Sequence, residues 1–179
     1  MDESEFWTLV DTARFAETPT DEALVELLTG RSLEELVAFQ RRFDAVTDRV
    51  HRWDVWAAAY LIGGGCSDDA FGDFKAGLVA LGSDWFERVA AGADELASHP
   101  LVIEAAESRD VAEVIFDENF AFAASTAAES GADVEVFWAA MEAVPDDAES
   151  PELGDGWDFD DKQEMRSRLP RLASLFLTD

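Results

Sequence analysis

The residues best equipped to do chemistry crowd into one stretch, His51 to Asp69, which reads HRWDVWAAAYLIGGGCSDD. Trp53 and Trp56 lie three apart and Tyr60 four further on, so on a helix the three rings share a face. Arg42 and Arg49 project to nearly the same face if one helix runs through, and Asp54 sits beside Trp53. Five of the 13 basic residues, Arg31, Arg41, Arg42, Arg49 and Arg52, fall between positions 31 and 52. An aromatic wall edged by guanidinium groups is suited to a planar or anionic ligand. The same residues suit a plainer role, with the rings as core packing and the arginines paired to the chain's many acids.

Cys66, Ser67, Asp68 and Asp69 follow a run of three glycines. A cysteine near a helix start, with His51 upstream, has the parts of a nucleophile and base on paper. Asp68 and Asp69 oppose a thiolate there, and a lone cysteine more often serves as a small buried hydrophobe. The same two aspartates, with no lysine beside them, argue against a phosphate-binding turn at Gly63–Gly65. Ser67 is expected to cap a helix whose first turn carries Asp68 and Asp69, where the helix dipole favours negative charge. With 1 Cys and 2 His there is no structural zinc pattern. Asp155, Asp158, Asp160 and Asp161 lack the spacing of a calcium loop. No cofactor is expected.

The chain around this stretch is strongly acidic, with 40 Asp and Glu against 13 Lys and Arg and a net charge of -27. Such a field repels phosphate backbones and anionic lipid, which makes direct contact with nucleic acid or a membrane surface improbable. Another protein is the expected partner, basic surfaces being favoured; oligomeric state is not readable. Hydrophobic residues make up 48% of the chain, including 13 Phe and 6 Trp, so the acidity does not signify global disorder. The acidic start MDESEF is unlike a secretory leader, and no apolar run reaches 18 residues, which together predict a cytoplasmic location.

Helices must position these groups. A first helix is expected over about Ser4–Phe15 with Ser4 as its cap, and a second over Asp21–Thr29 ending at Gly30. Ser32 and Glu35 form a capping box. Leu36, Phe39, Phe43, Val46, Val50 and Trp53 then recur at steps of three or four. Nothing breaks the pattern from Leu33 to Ile62 except a bend allowed near Arg52, so one long central helix is predicted. Further helices are expected from Ser67, from Trp85, over Asp94–Ser98, between Leu101 and Ser130, over Val134–Val144 and from Asp161 onward. Residues 145–160, rich in Pro, Gly and acids, read as an acidic loop, mobile or functional. Trp157 and Phe159 are placed to pin it. LVI and VEVF are the only strand candidates.

The run WDVWAAAYLIGGGCSDDAFGDFKAGL, with Trp7, Phe39 and Phe43 before it, resembles domain-of-unknown-function family 4240, which is common in actinobacteria. The resemblance covers most of Phe6 to Gly131 and reappears around Leu169–Leu172. It departs at Gly77, where the family usually has tryptophan, and at Phe120, where tyrosine is frequent. The family has no established activity, so the resemblance implies no catalytic roles.

These readings converge on an all-α fold. Residues 1–179 form a single helical bundle, with a long central helix and an acidic loop near the C-terminus. The leading function is a non-enzymatic protein-interaction or regulatory module. One alternative is an enzyme or small-molecule binder using Trp53–Asp69. Another is an acidic mimic of nucleic acid that binds a basic protein.

Overall fold

The capping box is where sequence and structure meet most directly. In this computed structural model, which describes residues 1–108, 115–131, 134–143 and 153–178, Ser32 Oγ accepts from the Glu35 amide. The Glu35 carboxylate in turn accepts from the Ser32 amide at 2.9 Å, which holds that carboxyl below its ordinary range. This launches α3 (Leu33–Asp48), preceded by α1 (Glu3–Arg14) and α2 (Thr20–Leu28). Ser4 is not the cap of α1. Asp2 is, accepting from the Glu5 amide at 2.8 Å, because its carboxylate can reach the free amides of the first turn.

The long central helix is two helices. The amides of Arg49, Val50 and His51 bond to carbonyls three residues back, which tightens and closes the end of α3. Arg52 is extended, and α4 (Trp53–Gly63) starts afresh. Burial explains the break. The core side of α3 is a single stripe of Leu36, Phe39, Phe43 and Val46, whereas α4 buries Val55, Ala57, Ala58, Ala59, Leu61 and Ile62 around most of its circumference. A straight rod would carry that apolar segment past the core into water; the corner turns it inward. Arg52 fastens the corner, its guanidinium donating to both Asp54 carboxylate oxygens and to the Ala90 carbonyl.

The chain leaves α4 through Gly64, whose φ of 67° suits a left-handed cap, and the Gly65 amide closes the turn onto the Tyr60 carbonyl. Ser67 caps α5 (Asp68–Ala80) as expected, accepting from the Ala70 amide. Then come α6 (Ser83–Ala91), a 3₁₀ turn (Ala93–Ser98), α7 (Pro100–Ser108), α8 (Glu118–Ala121), α9 (Ala123–Gly131), α10 (Val134–Ala143), α11 (Lys162–Arg168) and α12 (Pro170–Phe176). LVI and VEVF lie in α7 and α10, and no strand occurs among the described residues. Of the helical stretch expected between Leu101 and Ser130, residues 109–114 lie outside them.

One continuous core holds these helices together. Phe6, Phe39, Phe71, Phe74, Phe86, Phe120 and Phe137 are fully or almost fully buried in it, with Phe6 and Phe39 ring to ring at 5.1 Å. Each such ring contributes roughly 1.5–3 kcal/mol by burial. α5 has one position where no side chain fits. A Cβ on Gly77 would lie 1.6 Å from the Ile115 carbonyl oxygen, and Ile115 itself holds a φ of 71°. The Ile115 backbone thus occupies the space that any side chain at position 77 would need.

Candidate functional site

Trp53, Trp56 and Tyr60 do share a face of α4, and the later chain covers it. Trp53 stacks on Trp56 at 5.4 Å, and Trp56 stacks on Phe71 of α5 at 4.7 Å. Phe159 meets all three rings, at 5.8, 6.4 and 5.5 Å from Trp53, Trp56 and Tyr60. Their polar atoms are satisfied locally. Trp53 Nε1 donates to the Gly154 carbonyl at 3.0 Å, Trp56 Nε1 to the Cys66 carbonyl at 3.2 Å, and the Tyr60 hydroxyl to Asp160 Oδ1 at 2.7 Å. That last bond, to a carboxylate, raises the Tyr60 pKa. The segment lies close enough that a Cβ on Gly156 would come within 2.7 Å of the Trp53 ring.

Of the expected acidic loop, residues 145–152 lie outside the described residues, and 153–160 run without helix or strand. Phe159 and Trp157 pack on the core as anticipated. The described part is therefore docked rather than loose. It is held by rings and hydrogen bonds to α4.

The break in the central helix separates the predicted arginines. Arg42 donates to the Met1 carbonyl, away from the tryptophans. Arg49 reaches Glu3 at 3.1 Å and Glu87 at 2.8 Å, and the Glu87 contact chiefly raises its pKa. Only Arg49 of this pair stays beside Trp53. It borders an open cleft of about 690 Å³ at the α3–α4 corner, shared with Asp48, His51, Arg52, Asp54, Trp157 and Arg168. A smaller hollow of about 310 Å³ holds Trp56, Asp68, Phe71 and Lys75 and has His51 in common with the first. The aromatic wall expected from Trp53, Trp56 and Tyr60 is thus divided between the two, with Trp53 in the first and Trp56 in the second, and Tyr60 borders neither.

The surroundings of Cys66 work against a thiolate. Burial pushes its thiol up to about 11, with Asp73 and Asp68 adding to the rise against a lowering contact from Trp56. Ser67 is occupied as a cap, and Asp69 is exposed in the first turn of α5. His51 accepts at Nδ1 from the Lys75 ammonium at 3.3 Å. Burial first and Lys75 second lower the imidazole pKa, while Asp48 opposes. Among the described residues no group of three His, Cys, Asp or Glu is placed to hold a metal ion, and no helix is long and apolar enough to cross a membrane.

A second concave surface drew no attention in the sequence. Phe122, 47% exposed, and Trp138, 42% exposed, border a groove of about 300 Å³ with Phe43 at its base and Asp44, Asp73 and Lys75 along it. Asp73 carries a raised pKa, first from burial and then from Glu118 and Asp69 nearby. One signal was available. Phe137 and Trp138 are adjacent, so a helix that buries Phe137 must turn Trp138 about 100° away.

The chain belongs to the family described as "Protein of unknown function (DUF4240)", whose pattern matches residues 1–130. The match takes in α1 to α8 and most of α9, and ends before Trp138, Trp157, Arg168 and the Leu169–Leu172 run. No curated protein and no solved structure matches the chain.

Proposed function

We propose that this protein is a non-enzymatic protein-interaction module, and that its docking surface is the groove between α3, α5, α8 and α10. The observation that carries the reading is the pair of large rings, Phe122 and Trp138, both left more than two-fifths exposed along one groove. Folding gains little from them there. A partner that covers them gains roughly 1.5–3 kcal/mol for each ring it fully buries.

Charge selects the partner. Asp44 and Asp73 flank the rings, and Asp73 is crowded by like charges that raise its pKa. A guanidinium or ammonium group brought to Asp73 relieves that crowding, and the net charge of -27 steers basic surfaces inward. The best fit is a basic segment with an apolar anchor. Affinity capture from the source organism at near-physiological salt tests this, comparing the native protein with a Phe122→Ala, Trp138→Ala variant. The expected result is a reproducible basic partner lost in the variant. No partner, or one retained unchanged by the variant, rejects the reading.

A further inference from the structure

The α3–α4 corner brings several basic residues of this acidic chain together. Four of the 13 basic residues, Arg49, Arg52, Lys75 and Arg168, border the corner cleft and its adjoining hollow, against three of the 40 acids, Asp48, Asp54 and Asp68. Among the described residues, the local balance by bare count is reversed in sign from the whole chain. Arg52 is committed to Asp54, and Arg49 spends two contacts on Glu3 and Glu87. Arg168 is different. Its guanidinium lies over the Trp157 ring at 4.3 Å and uses Nε for Glu164, leaving both terminal nitrogens without an acceptor among the described residues. His51 adds a neutral donor. With Nδ1 accepting from Lys75, the proton of the uncharged ring sits on Nε2.

We propose that this cleft binds a small organic oxyanion with a flat apolar body, held by Arg168, Arg49 and His51 Nε2–H against the indoles of Trp53 and Trp157. The volume, about 690 Å³, lies in the range of small-molecule sites. Guanidinium groups match the geometry of a carboxylate or phosphate, and the stacked Arg168 is held in place by the ring beneath it. Asp48 is the opposing carboxylate in the cleft, which favours a singly charged ligand over a multiply charged one. The cleft itself shares no residue with the Phe122–Trp138 groove; only the adjoining hollow does, through Gly72 and Lys75.

The probe is indole-3-carboxylate, titrated into the full chain by calorimetry at low salt, with indole-3-carboxamide and inorganic phosphate as comparisons. The carboxylate is expected to bind saturably and at least about tenfold more tightly than the neutral amide, the scale of one charge-assisted hydrogen bond. Phosphate alone, lacking the flat body, is expected to bind more weakly than the carboxylate. Arg168→Gln, an exposed change on α11, weakens the carboxylate by about tenfold. Asp48→Asn tightens it, which no merely structural role for Asp48 predicts. Equal binding of acid and amide, no saturable binding, or an unchanged affinity in both variants overturns the proposal.

Discussion

Two aromatic regions of this molecule have opposite fates. On α4, Trp53, Trp56 and Tyr60 lie within eight residues of sequence, and every side-chain polar atom they carry finds a partner within the chain. In the α8–α10 groove, Phe122 and Trp138 are far apart in sequence, and both remain substantially exposed. The dense cluster is glue that fastens a late segment onto a helix corner. The sparse pair is the surface left over. Density of rings along a chain therefore marks packing here, and the exposed pair is what folding leaves available to the proposed partner.

Substitution by alanine breaks this comparison most sharply. Trp56 sits between Trp53 and Phe71, and Trp56→Ala is expected to destabilise by about 3 kcal/mol or more in a denaturant titration. Trp138→Ala should cost clearly less, about 1 kcal/mol, since two-fifths of that residue is already exposed. Comparable costs for the two would erase the distinction. Gly77→Ala comes next. Its methyl group meets the Ile115 carbonyl, so either α5 or the Ile115–Asp117 segment leading into α8 must shift. The expected loss is about 1–3 kcal/mol, with the groove disturbed as well. A neutral Gly77→Ala in thermal melts would show that the segment yields freely.

A milder change acts on the α4 side alone. Tyr60→Phe removes the hydroxyl that donates to Asp160 and leaves the ring against Phe159. The cost should be about 0.5–1.5 kcal/mol, as for one hydrogen bond. Hydrogen exchange should quicken in residues 153–161 and stay unchanged in α10. Faster exchange in both would mean that the two regions are coupled.

Much of the fold was legible in the sequence, for local reasons. The Ser32–Glu35 box, the Ser67 cap, the glycine exit from α4 and the docking of Phe159 all follow from chemistry within a few residues or from plain hydrophobicity. The corner at residues 49–52 was not legible as a full break. The period of apolar residues runs through it unbroken, and what decides is where the core lies, with Arg52 fastening the turn to Asp54 and Ala90 in place of any helix-breaking residue. The chemical stretch was recognised as a cluster, yet its roles shifted. Arg42 left for the N-terminus, Tyr60 turned to Asp160, and the cleft acquired Trp157 and Arg168 from more than a hundred residues downstream of Trp53. Such long-range partners leave no spacing to read. The Phe122–Trp138 groove had only the adjacency of Phe137 and Trp138 as a clue.

The smallest expected effect separates the two regions by charge. Asp73 lies along the groove with its pKa raised above the ordinary 3.8 by burial, Glu118 and Asp69. A carboxyl whose folded pKa is raised binds protons more readily folded than unfolded, so its ionisation weakens the fold as pH rises through that value. At neutral pH the penalty is fully present; well below 3.8 both states are protonated and it vanishes. Asp73→Asn should therefore raise Tm at pH 7 by about 1–2 °C, and the gain should fade as pH drops through the carboxylate range. Salt should shrink the gain as well, because screening already weakens the repulsion from exposed Asp69 and Glu118. On the α4 side, Asp160→Asn gives the reverse, since that carboxylate is the acceptor for Tyr60 and its replacement loosens the docked segment. If a basic partner is what Asp73 awaits, Asp73→Asn makes a more stable protein that binds less well. Stability and binding moving together would mean that the crowding at Asp73 serves the fold after all.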